Sequence, residues 1–185
     1  AYKKVISLKP DYASAYIDIG NALYHQGKLD ETISAFNKAI LLNPKNADVY
    51  YNIGVVFNAK GKLNEAIDSY KKSILLKPNY AEAYSNMGVA LRNQGKFAEA
   101  IEAYKKSISL RSDDADTYFN LGIVLKDQGK FAEAIEAYKK SILLKPDNAK
   151  AYNNLGVVYQ AQDIFDEAIQ AYDKAILLKS DYAEA

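Results

Sequence analysis

The fifteen residues QGKFAEAIEAYKKSI occur at 94–108 and again at 128–142, an interval of 34 residues. A catalytic centre is assembled once, from unlike parts of a chain, whereas an element copied at fixed spacing is built to stack on its own copies. Extended in both directions, the interval divides the 185 residues into five full units at 13–46, 47–80, 81–114, 115–148 and 149–182. Residues 1–12 match the end of a preceding unit and 183–185 the start of a further one, so the whole chain reads as one array. All nine glycines fall at two places in the unit: Gly20, Gly54, Gly88, Gly122 and Gly156 at position 8, and Gly27, Gly61, Gly95 and Gly129 at position 15. All four prolines, Pro10, Pro44, Pro78 and Pro146, stand at position 32. Gly and Pro punctuate the backbone, so the chain has a single punctuation scheme and no insertion left over to carry a catalytic loop.

Within a unit the apolar residues recur at helical spacing. In the third unit Tyr84, Met87, Gly88 and Leu91 form one stripe, and Phe97, Ala100, Ile101, Tyr104, Ser107 and Ile108 form a second after Gly95. That pattern predicts helix, tight turn, helix. Gly95 suits the left-handed residue that ends a helix. Asp30, Asn64 and Asp166 are the expected caps of second helices, a role Ala98 and Ala132 cannot fill. Gly at position 8 and Ala at position 20 (Thr32 in the first unit) let paired helices approach, and Tyr at position 4 with an aromatic at position 24 fills the flanking space. One hairpin cannot bury both of its stripes, so the expected fold is all-α, a right-handed solenoid of stacked antiparallel helix pairs.

Tyr-x-x-Ile/Leu/Met-Gly, then Ala-x-x-x-Tyr, then Pro, at a 34-residue period, resembles the tetratricopeptide repeat over the whole chain. Tyr stands where that family usually has Trp at position 4. Ser112 and Ser180 replace Pro, and Asp163 replaces Gly at position 15. These departures bear on local turns.

Composition removes several kinds of chemistry. Basic and acidic residues number 24 and 23, so no net field points to nucleic acid or an anionic membrane. There is no cysteine, hence no disulfide or thiolate. No apolar run approaches a membrane span and no secretory signal is visible, so the expected location is cytoplasmic. The chain opens without Met and ends as a helix begins, which reads as a piece of a longer protein. His25 is the sole histidine, and its expected state is a solvated side chain. No nucleophile set, phosphate loop or metal motif is present, so no enzyme activity, cofactor or metal is expected. Glu102 and Glu136 stand four residues before Lys106 and Lys140, as in exposed helical ion pairs. The Lys pairs late in second helices complement the helix dipole.

The resemblance implies that positions 2, 5, 6, 9, 12 and 13 line an inner, concave surface. Position 6 reads Asp18, Asn52, Asn86, Asn120 and Asn154. Asn inside a helix is roughly 0.7 kcal/mol worse than Ala, so a column of it needs a reason. A carboxamide can pair with both the C=O and the N–H of an extended peptide. Apolar neighbours are Val55, Val89, Ile123 and Val157 at position 9, with Ile17, Tyr51 and Phe119 at position 5; Arg92 and Lys126 stand at position 12. The expected partner is therefore a protein or peptide held in extended form. The competing reading is that the amides are merely hydrated, or bond to the next unit and set the stacking. An Asn column of this kind resembles the repeat region of O-linked N-acetylglucosamine transferases, which implies a recruiting arm for a separate catalytic domain. The clamp that chaperone-binding members use for a terminal carboxylate is excluded, because Ile17, Glu82 and Asn86 stand where its cations belong. A third alternative is end-to-end homo-association through uncovered terminal faces, with Tyr2, Val5, Ile6 and Leu8 at one end.

Overall fold

The computed structural model describes residues 12–178. The end faces expected around Tyr2 and Leu8, and the short partial unit at 183–185, lie outside the described residues. Among these there are ten α-helices and no strand. The chain forms two compact units, Ala1–Gln94 and Gly95–Ala185.

The first unit holds α1 (Ala13–His25), α2 (Leu29–Leu42), α3 (Ala47–Ala59), α4 (Leu63–Leu76) and α5 (Ala81–Asn93). Helix α1 packs on α2 and α3 on α4; α2 then packs on α3, and α4 on α5. Helices α3 and α5 also touch directly. Phe36, Ala39, Val49, Ile53 and Val56 form a buried core, with Tyr16, Ile33 and Phe57 against it. The second unit repeats the plan with α6 (Phe97–Leu110), α7 (Ala115–Asp127), α8 (Phe131–Leu144), α9 (Ala149–Gln160) and α10 (Phe165–Leu178). There α7 and α9 touch as α3 and α5 do.

The closeness of each pair has a specific cause. A Cβ built on Gly54 would stand 2.5 Å from the Tyr70 ring, and one on Gly122 would stand 2.6 Å from Tyr138. Phe36 and Tyr172 close on Gly20 and Gly156 in the same way. The bare glycine is thus the seat of the position-24 ring. Phe36, Tyr70, Tyr104 and Tyr138 are at most 1% exposed, and burial of a side chain of that size contributes about 1.5–3 kcal/mol. Ala66, Ala100 and Ala134 are completely buried, as is Thr32, whose hydroxyl donates to the Lys28 carbonyl at 2.9 Å.

The turns are uniform even where their residues are not. Gly27, Gly61, Gly95 and Gly129 have φ of 70–76°, and Asp163 in the same place has φ 59°. Asp is among the few side chains that tolerate this left-handed region, so the substitution keeps the turn. At position 31, Asn43, Lys77 and Lys145 end their helices with φ between −140° and −136°, as expected before Pro. Arg111 precedes Ser112 instead and ends α6 at φ −147° and ψ 103°. Proline favours this exit but is not required for it.

Two expectations about polar residues are corrected. Asp30 and Asn64 do not cap second helices: α2 and α4 start one residue earlier, at Leu29 and Leu63, after Lys28 and Lys62. Both side chains instead reach the next repeat's turn. Asp30 pairs with Lys60, which holds its carboxyl below the ordinary range, and Asn64 Oδ1 accepts from Gln94 Nε2 at 2.6 Å. Asp166 likewise lies inside the first turn of α10. Glu102 and Glu136 pair with Lys105 and Lys139, at 3.9 and 4.0 Å, three residues on rather than four. The side-chain caps that do form open first helices: Asn46 accepts from the N–H groups of Asp48 and Val49, and Asn148 from that of Ala151. Asp114 opens α7. Burial pushes its carboxyl up, but bonds from Thr117 (2.6 Å) and Arg111 (3.0 Å) outweigh that and hold it low.

Candidate functional site

The face of interest lies on the first helix of each pair. In α3, Ile53, Gly54 and Val56 are buried, while Tyr51, Asn52 and Val55 are half-buried. The same division recurs in α7, where Leu121 and Gly122 are buried and Phe119, Asn120 and Ile123 are half-buried. A 3.6-residue period puts positions 5, 6 and 9 on one stripe, next to the buried seam.

In the first unit, Asp18 is exposed, and Asn52, Asn86, Val55, Val89 and Arg92 are half-buried. Asn52 and Val55 of α3 join Asn21 and Tyr24 of α1 around a recess of about 50 Å³, closed below by Phe36 and Val56. Neighbouring helices thus present their amides to one small cleft. Asn86 is engaged differently: its Nδ2 donates to the Tyr51 hydroxyl at 2.8 Å, across from α5 to α3. One amide hydrogen of this Asn therefore ties adjacent repeats together, as the competing sequence reading has it. Tyr51 itself lies between Tyr70, 6.0 Å away, and Tyr80, 5.0 Å away. Arg92 Nη2 is 3.5 Å from Asn93 Oδ1.

In the second unit, Asn120, Asn154, Ile123 and Lys126 are half-buried and Val157 is exposed. Asn154 Nδ2 donates to the Lys150 carbonyl one turn earlier at 2.9 Å, and Lys126 pairs with Asp127 at 3.4 Å. Phe119 packs on Tyr138 at 6.0 Å, repeating the Tyr51–Tyr70 contact. Position 5 of α9 is Asn153, 7% exposed, with its Oδ1 lacking a hydrogen-bond partner among the described residues. A separate cleft of about 440 Å³ has a Tyr118, Leu121 and Leu125 floor and a rim of Lys105, Glu133, Glu136 and Lys140.

Among the described residues no group of His, Cys, Asp or Glu could hold a metal ion, and no helix is long and apolar enough to cross a membrane. His25 is exposed, with its ring edge-on to Tyr24. The arrangement presents amides, small apolar side chains and aromatic rings. It can bind a chain by hydrogen bonds and contact.

The sequence matches the family model of the TPR repeat over residues 20–58, 56–95, 90–129 and 124–163, and that of the tetratricopeptide repeat over 149–182. The chain belongs to the tetratricopeptide repeat family. Among solved structures of this family, a MamA crystal structure is 33% identical, with a TM-score of 0.84, covering 90% of this chain and 98% of its own. YrrB, described as a TPR protein with an unusual peptide-binding site, is 25% identical with a TM-score of 0.83, covering 100% and 95%. MamA 41-end from Desulfovibrio magneticus RS-1 shares the fold at 20% identity, with a TM-score of 0.85, covering 92% and 97%. No curated protein matches the chain. A tetratricopeptide repeat array is a protein–protein interaction module.

Residues that sequence reasoning missed at this face are Tyr80, Lys77 and Asp48. Tyr80 stands at position 34, where the full units otherwise place Asn46, Asp114, Asn148 and Tyr182. An aromatic in a column of capping residues was the available signal.

Proposed function

We propose that the chain is a non-enzymatic module that holds a partner polypeptide in extended form along the position 5, 6 and 9 stripe of its first helices. The observation that carries this reading is the recurrence of half-buried Asn52, Asn86, Asn120 and Asn154 at one register, each beside a position-9 apolar residue. A primary carboxamide has two donor hydrogens and an acceptor oxygen. The internal bonds of Asn86 and Asn154 use one donor each, which leaves the pairing capacity that a peptide backbone needs. The recess between α1 and α3, lined by Asn21 and Asn52, adds a second amide at the same place. Contacts of this kind contribute about 0.5–1.5 kcal/mol each, so binding relies on several in register and discriminates little between partner sequences. The peptide-binding site ascribed to YrrB supports the same use of the fold.

The test is Asn52→Ala combined with Asn120→Ala, positions chosen to spare the Asn86–Tyr51 bond. Fluorescent, unstructured decapeptides should bind the parent chain, and the double variant should bind about tenfold more weakly with an unchanged thermal melt. Binding at full strength in the double variant removes the column from the site.

A second reading, self-association, is favoured by α10. Its Phe165 and Ile169 are 56% and 57% exposed, whereas Ile67, Ile101 and Ile135, the counterparts of Ile169, are at most 9% exposed. Sedimentation velocity across a wide concentration range, showing one monomeric species throughout, would exclude it. Recruitment for an attached glycosyltransferase is a narrower form of the first reading, decided by whether a nucleotide-sugar domain shares the polypeptide.

A further inference from the structure

Three lysines of the first unit lie over aromatic rings. Lys38 is 5.6 Å from the Tyr16 centroid and Lys72 is 5.9 Å from that of Tyr50, both near the outer limit of a useful contact. Lys77 Nζ is 4.1 Å from the centroid of Tyr80 and 3.8 Å from Asp48 Oδ1. The face of one ring and a carboxylate thus converge on a single ammonium, and that ring also packs on Tyr51, 5.0 Å away. This corner adjoins the amide column, because Asn86 donates to Tyr51.

We propose that the Tyr80–Asp48 corner is a site for an arginine side chain of the bound polypeptide, and that Lys77 is its internal occupant in the free chain. This rests on the groove reading above. Lys77 holds the place weakly. Its side chain is 46% exposed, that of Asp48 is 65% exposed, and their separation is near the limit for an ion pair. Such exposed pairs contribute little. A guanidinium suits the corner better, since it is planar, less strongly hydrated and able to meet a carboxylate with two parallel N–H donors while stacking on a ring. Glu82, in the first turn of α5, adds negative potential near Tyr80. Burial, and then a hydrogen bond to Asp48, push the Tyr80 hydroxyl's pKa up. Among the described residues the second unit has no equivalent: Asp114 stands in the place of Tyr80 and Arg111 in that of Lys77, joined directly to each other at 3.0 Å, and the following repeat has Asn148 and Lys145 there.

The probes are two capped Gly/Ser peptides, identical except for one central Arg or its neutral isostere citrulline, titrated against the full chain by NMR. The Arg peptide should bind about fivefold tighter, the size expected of one solvent-exposed cation–ring contact. Lys77→Met should tighten the Arg peptide about threefold by removing the competitor and leave the citrulline peptide unchanged. Tyr80→Phe should keep the preference for Arg, and Tyr80→Leu should abolish it. Equal binding of the two peptides to the parent chain, or a Lys77→Met variant that binds Arg no better, overturns the assignment. If both peptides bind equally and both weaken in the Asn52→Ala, Asn120→Ala variant, the groove stands and the corner alone fails. If neither binds the parent chain, both readings fall.

Discussion

The two compact units share a core and differ in their polar corners. In the first, the column at position 18 is polar, and long side chains from the next turn meet it: Lys60 on Asp30, Gln94 on Asn64. In the second the same column reads Ala98, Ala132 and Asp166, all exposed, and no comparable pair forms there among the described residues. At position 5 the first unit uses Tyr51, whose hydroxyl accepts from Asn86; the second uses Phe119 and Asn153. At position 34 both units cap first helices, the first with Asn46 and the second with Asp114 and Asn148, but the first also places Tyr80 before α5 with no side-chain cap. The glycine, alanine and ring positions, by contrast, are interchangeable between units. The difference teaches that stacking is specified by a few small and aromatic positions, and the remaining columns are free to vary, repeat by repeat.

The comparison breaks most visibly if the shared core is not equivalent. Ala at Gly54 or Gly122 would drive a methyl into a buried ring, and each should cost about 2 kcal/mol even after the helix-propensity gain of about 1 kcal/mol. Denaturant melts should find the two within error of each other; a tolerant Gly122 would mean that Tyr138 is not seated as Tyr70 is.

A smaller effect should distinguish the units. Asp114→Ala should cost about 1 kcal/mol, the ordinary loss for a helix cap. Because the folded-state carboxyl is held below its ordinary value of 3.8, its contribution is present above that pH and is lost as pH falls through the lower folded value. Acid melts of the parent chain should therefore lose stability below about pH 4, and the variant should lose less over the same window. Identical acid profiles would remove the cap from the account.

The smallest expected change is a gain. Asn153→Leu removes a buried acceptor that has no described partner and keeps the same branched, four-heavy-atom shape, so it should stabilise by roughly 0.5–1 kcal/mol. A loss of stability would show that the amide is satisfied within the fold and that position 5 is more alike in the two units than their residues indicate.

How much of this could be read from residues alone is clearest at individual positions. The helix pairs, the seat at position 8 and the left-handed turn at position 15 were legible, because each depends on local backbone geometry and on side-chain size, and both repeat with the period. Asp163 was legible as a departure, and its φ of 59° shows that the departure is absorbed. Asp30 and Asn64 were misread as caps because a polar residue beside a helix start has a local partner in sequence but a nearer one across the stack. The Lys105–Glu102 and Lys139–Glu136 pairs were misplaced by one residue because solvated side chains choose between spacings of nearly equal energy.

The 34-residue recurrence by itself determined that the chain is a stack of helical hairpins, which small positions let paired helices approach, and that an Asn column exists at one register. Only the tertiary structure decided what the column's neighbours are: that Asn86 bonds to Tyr51, that Asn52 shares a recess with Asn21, and that Tyr80, Asp48 and Lys77 meet. The physical reason is the range of the interactions. Helix, turn and close approach are set within one hairpin, whereas these contacts join residues up to 35 positions apart and form only after neighbouring hairpins have docked.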